Sequence, residues 1–156
     1  MTPGIQALAK AGFAHQVHRY ELRGDEGASY GEAVARALGV EPARMVKTLV
    51  AELASRELVV GVVPVDRTLD LRALAASAGA KSATMASPAD AEKSTGYVTG
   101  GISPFGQKKR LRTFVDASAL AHETIFASAG RRGLQVELAP GDLVRATSAA
   151  VVAIAK

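Results

Sequence analysis

The chain predicts a mixed α/β fold: a mostly antiparallel β-sheet, or a partly closed barrel, flanked by helices. Three observations lead there. β-Branched runs come in pairs close enough to form hairpins. Helical segments stand between them, most opened by a capping side chain and several closed by a glycine. With 156 residues and no internal repeat, low-complexity tract or linker, the chain suffices for one core and is short for two, so residues 1–156 form one domain.

Thr2 and Pro3 start a helix that carries Ile5, Leu8 and Ala9 on one face and ends at Gly12. His15 to Leu22 alternates as a strand, and Gly24 to Gly27 is a polar turn. Ser29 with Glu32 forms a capping box for a helix through Leu38, closed by Gly39. Val46 to Leu53 and Leu58 to Val65, separated by Ala54-Ser55-Arg56-Glu57, are a hairpin of mostly buried strands. Asp70 caps a helix carrying Leu71 and Leu74 that stops at Gly79, and Ser87-Pro88 opens another. Thr113 to Val115 and Thr124 to Ala127 are strands. Gly130-Arg131-Arg132-Gly133 turns into the strand Leu134 to Leu138. Pro140-Gly141-Asp142 begins a last short helix, with Asp142 as its cap. Ser148 to Ala155 is apolar and fits either strand or helix.

Composition narrows the function. Hydrophobic residues at 48% and charged residues at 22% belong to a globular chain and exclude disorder. Aromatics at 4% without Trp leave too few rings for a stacking platform along single-stranded nucleic acid. A net charge of +4 favours an anionic partner. The absence of Cys removes disulfides, thiolate-held zinc and a cysteine nucleophile. No run reaches the ~20 apolar residues of a membrane span, and a cytoplasmic protein is expected. His15 and His18 fall on opposite sides of one strand and His122 stands elsewhere, so no metal site is expected, nor any cofactor.

Residues 94 to 109, Ser-Thr-Gly-Tyr-Val-Thr-Gly-Gly-Ile-Ser-Pro-Phe-Gly-Gln-Lys-Lys, carry the strongest chemical signal. Glycines at 96, 100, 101 and 106 let amide N–H groups approach a ligand, Pro104 stiffens the loop, and Lys108, Lys109, Arg110 and Arg112 follow. Such a loop can hold an oxyanion at its amides while the cations hold phosphate. It offers no side-chain nucleophile, and no Ser–His–Asp grouping is recognisable in the chain.

This segment, with Met45-Val46-Lys47-Thr48-Leu49, Leu69-Asp70-Leu71, Ser128-Ala129-Gly130-Arg131-Arg132-Gly133-Leu134 and Glu137-Leu138-Ala139-Pro140-Gly141-Asp142, resembles the YbaK-type aminoacyl-tRNA deacylases. These are free-standing relatives of the editing domain of bacterial prolyl-tRNA synthetase. The likeness runs in order over essentially the whole chain and is closest to the Cys-tRNA(Pro) deacylase branch. It implies hydrolysis of the ester joining a mischarged amino acid to the terminal adenosine of tRNA(Pro), with the substrate's own thiol attacking. It further implies selection of that tRNA with the help of prolyl-tRNA synthetase. Gly100 to Pro104 fits the family's Gly-x-x-x-Pro loop, whose amides bind the substrate carbonyl.

By the same resemblance, Lys47, Gly100 and Gly101 are the catalytic set. Tyr20, Thr48, Ile102, Ser103, Pro104, Ser128 and Gln135 contact the aminoacyl group. Lys108, Lys109, Arg110, Arg131 and Arg132 are candidates for acceptor-stem phosphates. Gln135 stands where the branch often has an aspartate; it keeps hydrogen-bonding capacity and loses the carboxylate. Tyr97 is expected to pack rather than to act. Two alternatives remain open: a water-dependent deacylase for Ala-tRNA(Pro) or another small aminoacyl ester, and a non-catalytic tRNA- or synthetase-binding module.

Overall fold

A computed structural model describes residues 1–22 and 29–156. The polar turn expected at Gly24 to Gly27 lies outside them. Among the described residues five α-helices and eight strands follow in the order α1 (Pro3–Ala11), β1 (Gln16–Arg19), α2 (Tyr30–Leu38), β2 (Val46–Leu53), β3 (Leu58–Pro64), α3 (Leu71–Ala78), β4 (Ala83–Met85), α4 (Pro88–Thr95), β5 (Arg112–Asp116), β6 (Ile125–Ser128), β7 (Leu134–Leu138), α5 (Pro140–Thr147) and β8 (Ala150–Val152).

The caps explain most helix boundaries. Thr2, Ser29, Asp70 and Ser87 each accept a backbone N–H of the first turn of their helix, and Gly12, Gly39, Gly79 and Gly96 end the same four helices in the left-handed conformation. The last helix departs from expectation. Ala139 occupies its N-cap without a side-chain bond, and Asp142 sits in the first turn, paired with Arg145, where a carboxylate suits the helix dipole.

The strands form two sheets, ordered β1-β7-β6 and β4-β2-β3-β5-β8. β1–β7, β6–β7, β2–β3 and β2–β4 are antiparallel; β3–β5 and β5–β8 are parallel. The barrel alternative therefore gives way to two sheets, joined through an isolated bridge between Met45 and Phe126. The apolar tail resolves as β8, since β5 offers it an edge. The strand expected over His15 to Leu22 is only Gln16–Arg19, because β7 supplies partners for no more than these four residues.

The main core lies between the sheets. Val46, Val60 and Val62 of the larger sheet meet Ile125, Val136 and Leu138 of the smaller one, closed over by Ile5 and Leu8 of α1 and Leu143 of α5. A second cluster puts Leu74 of α3 and the C-terminal Ile154 against Val59, Val63 and Phe114. A third holds Val34 and Ala35 of α2 against Met45, Val65 and Phe126. Asp116 at the end of β5 anchors the tail: its buried carboxylate accepts from the amides of Ile154 (2.8 Å) and Ala155 (2.9 Å), and from the amide and hydroxyl of Ser118.

Candidate active site

β4 pairs with β2 only at Ala51 to Leu53, so it leaves the edge of β2 at residues 46–50 to face other elements. A pocket of about 350 Å³ opens beside that edge. Its walls are β2 from Val46 to Val50, Tyr30, Gly31 and Val34 of α2, Met85, Ala86 and Pro88 around the start of α4, Thr99, Gly100 and Ile102 of the glycine loop, and Ser128 and Gln135 from paired positions of β6 and β7.

The loop is braced from within. The Gly101 N–H donates to the Val98 carbonyl (2.9 Å), closing a turn in which Gly100 takes φ +92°, a conformation that favours glycine at the third position. The Thr99 amide donates to the Glu92 carboxylate (2.9 Å). The Tyr97 hydroxyl reaches the Phe105 carbonyl (2.6 Å), the Ser103 Oγ accepts from the Phe105 amide (3.1 Å), and the Gln107 side chain donates to the Ser103 carbonyl (2.9 Å). Gly100 and Ile102 line the pocket, and no described residue engages their backbone N–H groups. A turn held this firmly keeps donors in place without reorganisation, the condition for stabilising a developing oxyanion.

The pocket thus gathers Lys47, Thr48, Gly100, Ile102, Ser128 and Gln135. Lys47 is half-buried, and its ammonium has no ion-pair partner among the described residues. Ser128 accepts the Gly130 amide at its Oγ (3.2 Å), so its proton stays available. Thr48 and Gln135 are 9% and 6% exposed, yet Thr48 Oγ1 and Gln135 Oε1 have no hydrogen-bond partner among the described residues.

Other expected residues fall elsewhere. The Gly101 amide is spent on Val98, and a Cβ there would lie 2.9 Å from the Arg131 Cα; this glycine serves the approach of two backbones and supplies no oxyanion donor. Ser103 is wholly buried behind the loop. Pro104 belongs to a separate pocket of about 250 Å³ that also takes in Lys109 and Arg110. Tyr20 stands one residue back from the pocket, its hydroxyl 2.6 Å from that of Tyr30.

Tyr30 is the residue that sequence reasoning missed, concealed inside the capping box that starts α2. Burial above all, then the bond shared with Tyr20, raises its phenol above the ordinary value against the opposing pull of Arg132, so it stays neutral. The Arg132 guanidinium carbon lies 4.7 Å from the Tyr30 ring centroid, and the same group covers Gly100. Of the five expected tRNA contacts, Arg132 therefore braces the pocket mouth, while Lys108, Lys109, Arg110 and Arg131 are exposed, Arg110 touching Ser148 (2.9 Å).

His15 and His18 have separate partners, the Phe13 carbonyl (2.8 Å) and Glu137 (2.9 Å). The hydroxyl of Thr124 first, and then His18 and Arg44, hold the Glu137 carboxyl below its usual range. Among the described residues no helix is long and apolar enough to cross a membrane.

Residues 25–146 match the family model described as the aminoacyl-tRNA editing domain. The chain belongs to this family. The editing domain is 40% identical over 129 residues to EbsC of Enterococcus faecalis, named as a candidate Cys-tRNA(Pro)/Cys-tRNA(Cys) deacylase, covering 83% of this chain and 79% of that protein. It is 28% identical over 152 residues to the multifunctional Ser/Thr-tRNA deacylase ProXp-y of Escherichia coli K12, covering 88% and 90%. Two solved structures share the fold: one titled as a candidate trans-editing enzyme for prolyl tRNA synthetase, with TM-score 0.84, 23% identity and coverage of 100% and 99%, and the hypothetical protein APE2540, with TM-score 0.88, 22% identity and coverage of 99% and 100%.

Proposed function

We propose that this editing domain is a trans-editing deacylase that cleaves the ester of mischarged Cys-tRNA(Pro). The observation that carries the proposal is that Lys47 and the unengaged amides of Gly100 and Ile102 line one pocket. A tetrahedral intermediate places negative charge on the former carbonyl oxygen, and a cation with two amide donors answers that charge. Among the described lining residues there is no His, Asp or Glu to serve as general base, which suits attack by the substrate thiol. In that step the S–C bond forms, the ester C–O bond breaks, and the thiol proton ends on the ribose oxygen. Water then opens the released β-thiolactone to cysteine.

An editing site of this kind answers a limit on size discrimination, since a synthetic site shaped for proline excludes cysteine poorly by packing alone. The exposed cations at 108–110 and 131 suit the acceptor end of tRNA, and prolyl-tRNA synthetase is the proposed partner in tRNA selection. The test is hydrolysis of Cys-, Ala- and Ser-tRNA(Pro) by the purified protein with and without that synthetase. Lys47→Ala should lower the single-turnover rate by about 10²–10³-fold with the unfolding midpoint unchanged. Equal rates in the two proteins would remove Lys47 from the mechanism. No hydrolysis of any ester by the parent protein would refute the deacylase assignment itself.

A further inference from the structure

Resting on the assignment of the Gly100 amide to the developing oxyanion, we infer that Glu92 is a positioning residue for the reaction: its carboxylate holds the Thr99 amide and thereby sets the direction of the Gly100 N–H. The bond is 2.9 Å from the Thr99 nitrogen to Glu92 Oε2. It reaches from α4 across the end of the helix to the turn that follows.

The last turn of α4 carries both arms of the glycine loop. On the entry arm, the Glu92 carbonyl accepts the Gly96 amide (2.8 Å), Thr95 Oγ1 accepts the Tyr97 amide (3.2 Å), and the Glu92 carboxylate accepts the Thr99 amide. On the exit arm, the Thr95 and Ser94 carbonyls accept the Lys108 and Lys109 amides (2.9 Å each). Of these contacts, only the Glu92 carboxylate reaches the turn from Val98 to Gly101.

One peptide group in that turn is pinned at both ends. The peptide joining Val98 to Thr99 gives its N–H to Glu92 and receives the Gly101 N–H on its carbonyl (2.9 Å). It cannot rotate without breaking a bond. The next peptide carries the Gly100 N–H, and φ +92° at Gly100 marks the turn type that differs from the commonest one by the direction of this central peptide. A flip there reverses the proposed oxyanion donor. Hydrogen bonds in series also reinforce one another, so charge on Glu92 polarises the Val98–Thr99 peptide and tightens the Gly101 bond that closes the turn.

The helix alone gives no reason for a carboxylate at this position. Glu92 stands in the last turn of α4, where the dipole favours a cation such as Lys93, and it belongs to none of the ion pairs among the described residues. Its charge serves the loop. Donation from the Thr99 amide, above all, holds its carboxyl below the usual range, which keeps the accepting form in place.

The experiment compares the parent protein with Glu92→Ala and Glu92→Gln. It reads kcat and KM for Cys-, Ala- and Ser-tRNA(Pro), the unfolding midpoint, and the Thr99 amide resonance of nitrogen-15-labelled protein through a pH titration. Glu92→Ala should lower kcat by about 10–100-fold, the scale of a small misplacement of a reacting group, with KM unchanged. Glu92→Gln keeps an acceptor oxygen and should recover most of that rate. In the parent the Thr99 amide should shift as Glu92 takes up a proton, below the ordinary glutamate range, and the shift should vanish in Glu92→Gln. Full kcat in Glu92→Ala, no recovery in Glu92→Gln, a loss confined to KM, or a Thr99 amide indifferent to the titration would each overturn the inference and leave the deacylase assignment standing. A rate that falls only in proportion to the folded fraction would make Glu92 a structural residue and overturn it as well. Hydrolysis of none of the esters by the parent would strike the assignment on which the inference rests, and the inference with it.

Discussion

Gly100→Ala tests whether the glycine turn and Arg132 form one mechanical unit. Gly100 has φ +92°, where a side chain costs about 1–2 kcal/mol. The new Cβ would lie 2.5, 2.6 and 2.9 Å from three guanidinium atoms of Arg132. Arg132 is exposed, so it can swing off the Tyr30 ring, surrendering about 0.5–1 kcal/mol of cation–π attraction. The variant should lose about 1.5–3 kcal/mol and its midpoint should drop by roughly 3–12 °C. Arg132→Ala alone should lose only the cation–π part, and the double variant should be no less stable than Gly100→Ala. Thermal and urea unfolding of the four proteins then yields a coupling of about 0.5–1 kcal/mol, read as the shortfall from additivity. Deacylation should fall much further in Gly100→Ala than in Arg132→Ala, since only the former displaces an amide proposed to bind the oxyanion. Additive destabilisation within about 0.3 kcal/mol would refute the contact, and an unimpaired rate in Gly100→Ala would remove that amide from catalysis.

Gly101→Ala should act through the fold: with the Arg131 backbone in the way at 2.9 and 3.1 Å, a midpoint decrease of several degrees is expected, and activity lost without any stability loss would contradict this. Asp116 should matter below about pH 4. Burial alone would raise its carboxyl, but the combined donations from Ser118, Ile154 and Ala155 lower it, so its contribution is present above the unfolded pKa and fades as pH falls through the folded value. Asp116→Asn should flatten the acid limb of the stability–pH curve, and an unchanged limb would show that other groups set it. Neutralising Lys108, Lys109 and Arg110 together should weaken binding of every aminoacyl-tRNA alike and reduce the slope of log K against log salt by up to about three; an unaltered slope would clear them of phosphate contact.

Local chemistry made most of the fold readable. Capping side chains at Thr2, Ser29, Asp70 and Ser87, with glycines closing the same helices, fix those boundaries without reference to the rest of the chain. Pairing was harder to see. That β8 runs parallel beside β5, and that the sheets stay separate, depends on contacts between residues far apart in sequence, which periodicity does not encode. The site divides along the same line. Lys47, Thr48, Gly100, Ile102, Ser128 and Gln135 line one pocket, but whether a loop amide is free depends on its turn, and the Val98 carbonyl removes Gly101. Likewise Arg132 reads as one cation among five until Tyr30 is found beneath it.

The first residues of the chain reach the back of the glycine turn. Thr2 bonds the Ala129 carbonyl, and a side-chain carbon at Gly106 would come within 2.5 Å of the Pro3 carbonyl, so the amino-terminal end is wedged between the two segments that carry Ile102 and Ser128. Rigidity there leaves engineering little room on that wall. The opposite wall, where Met85 is 47% exposed, can exchange one side chain for another without pressing on backbone, and remodelling which esters enter is best begun from that side.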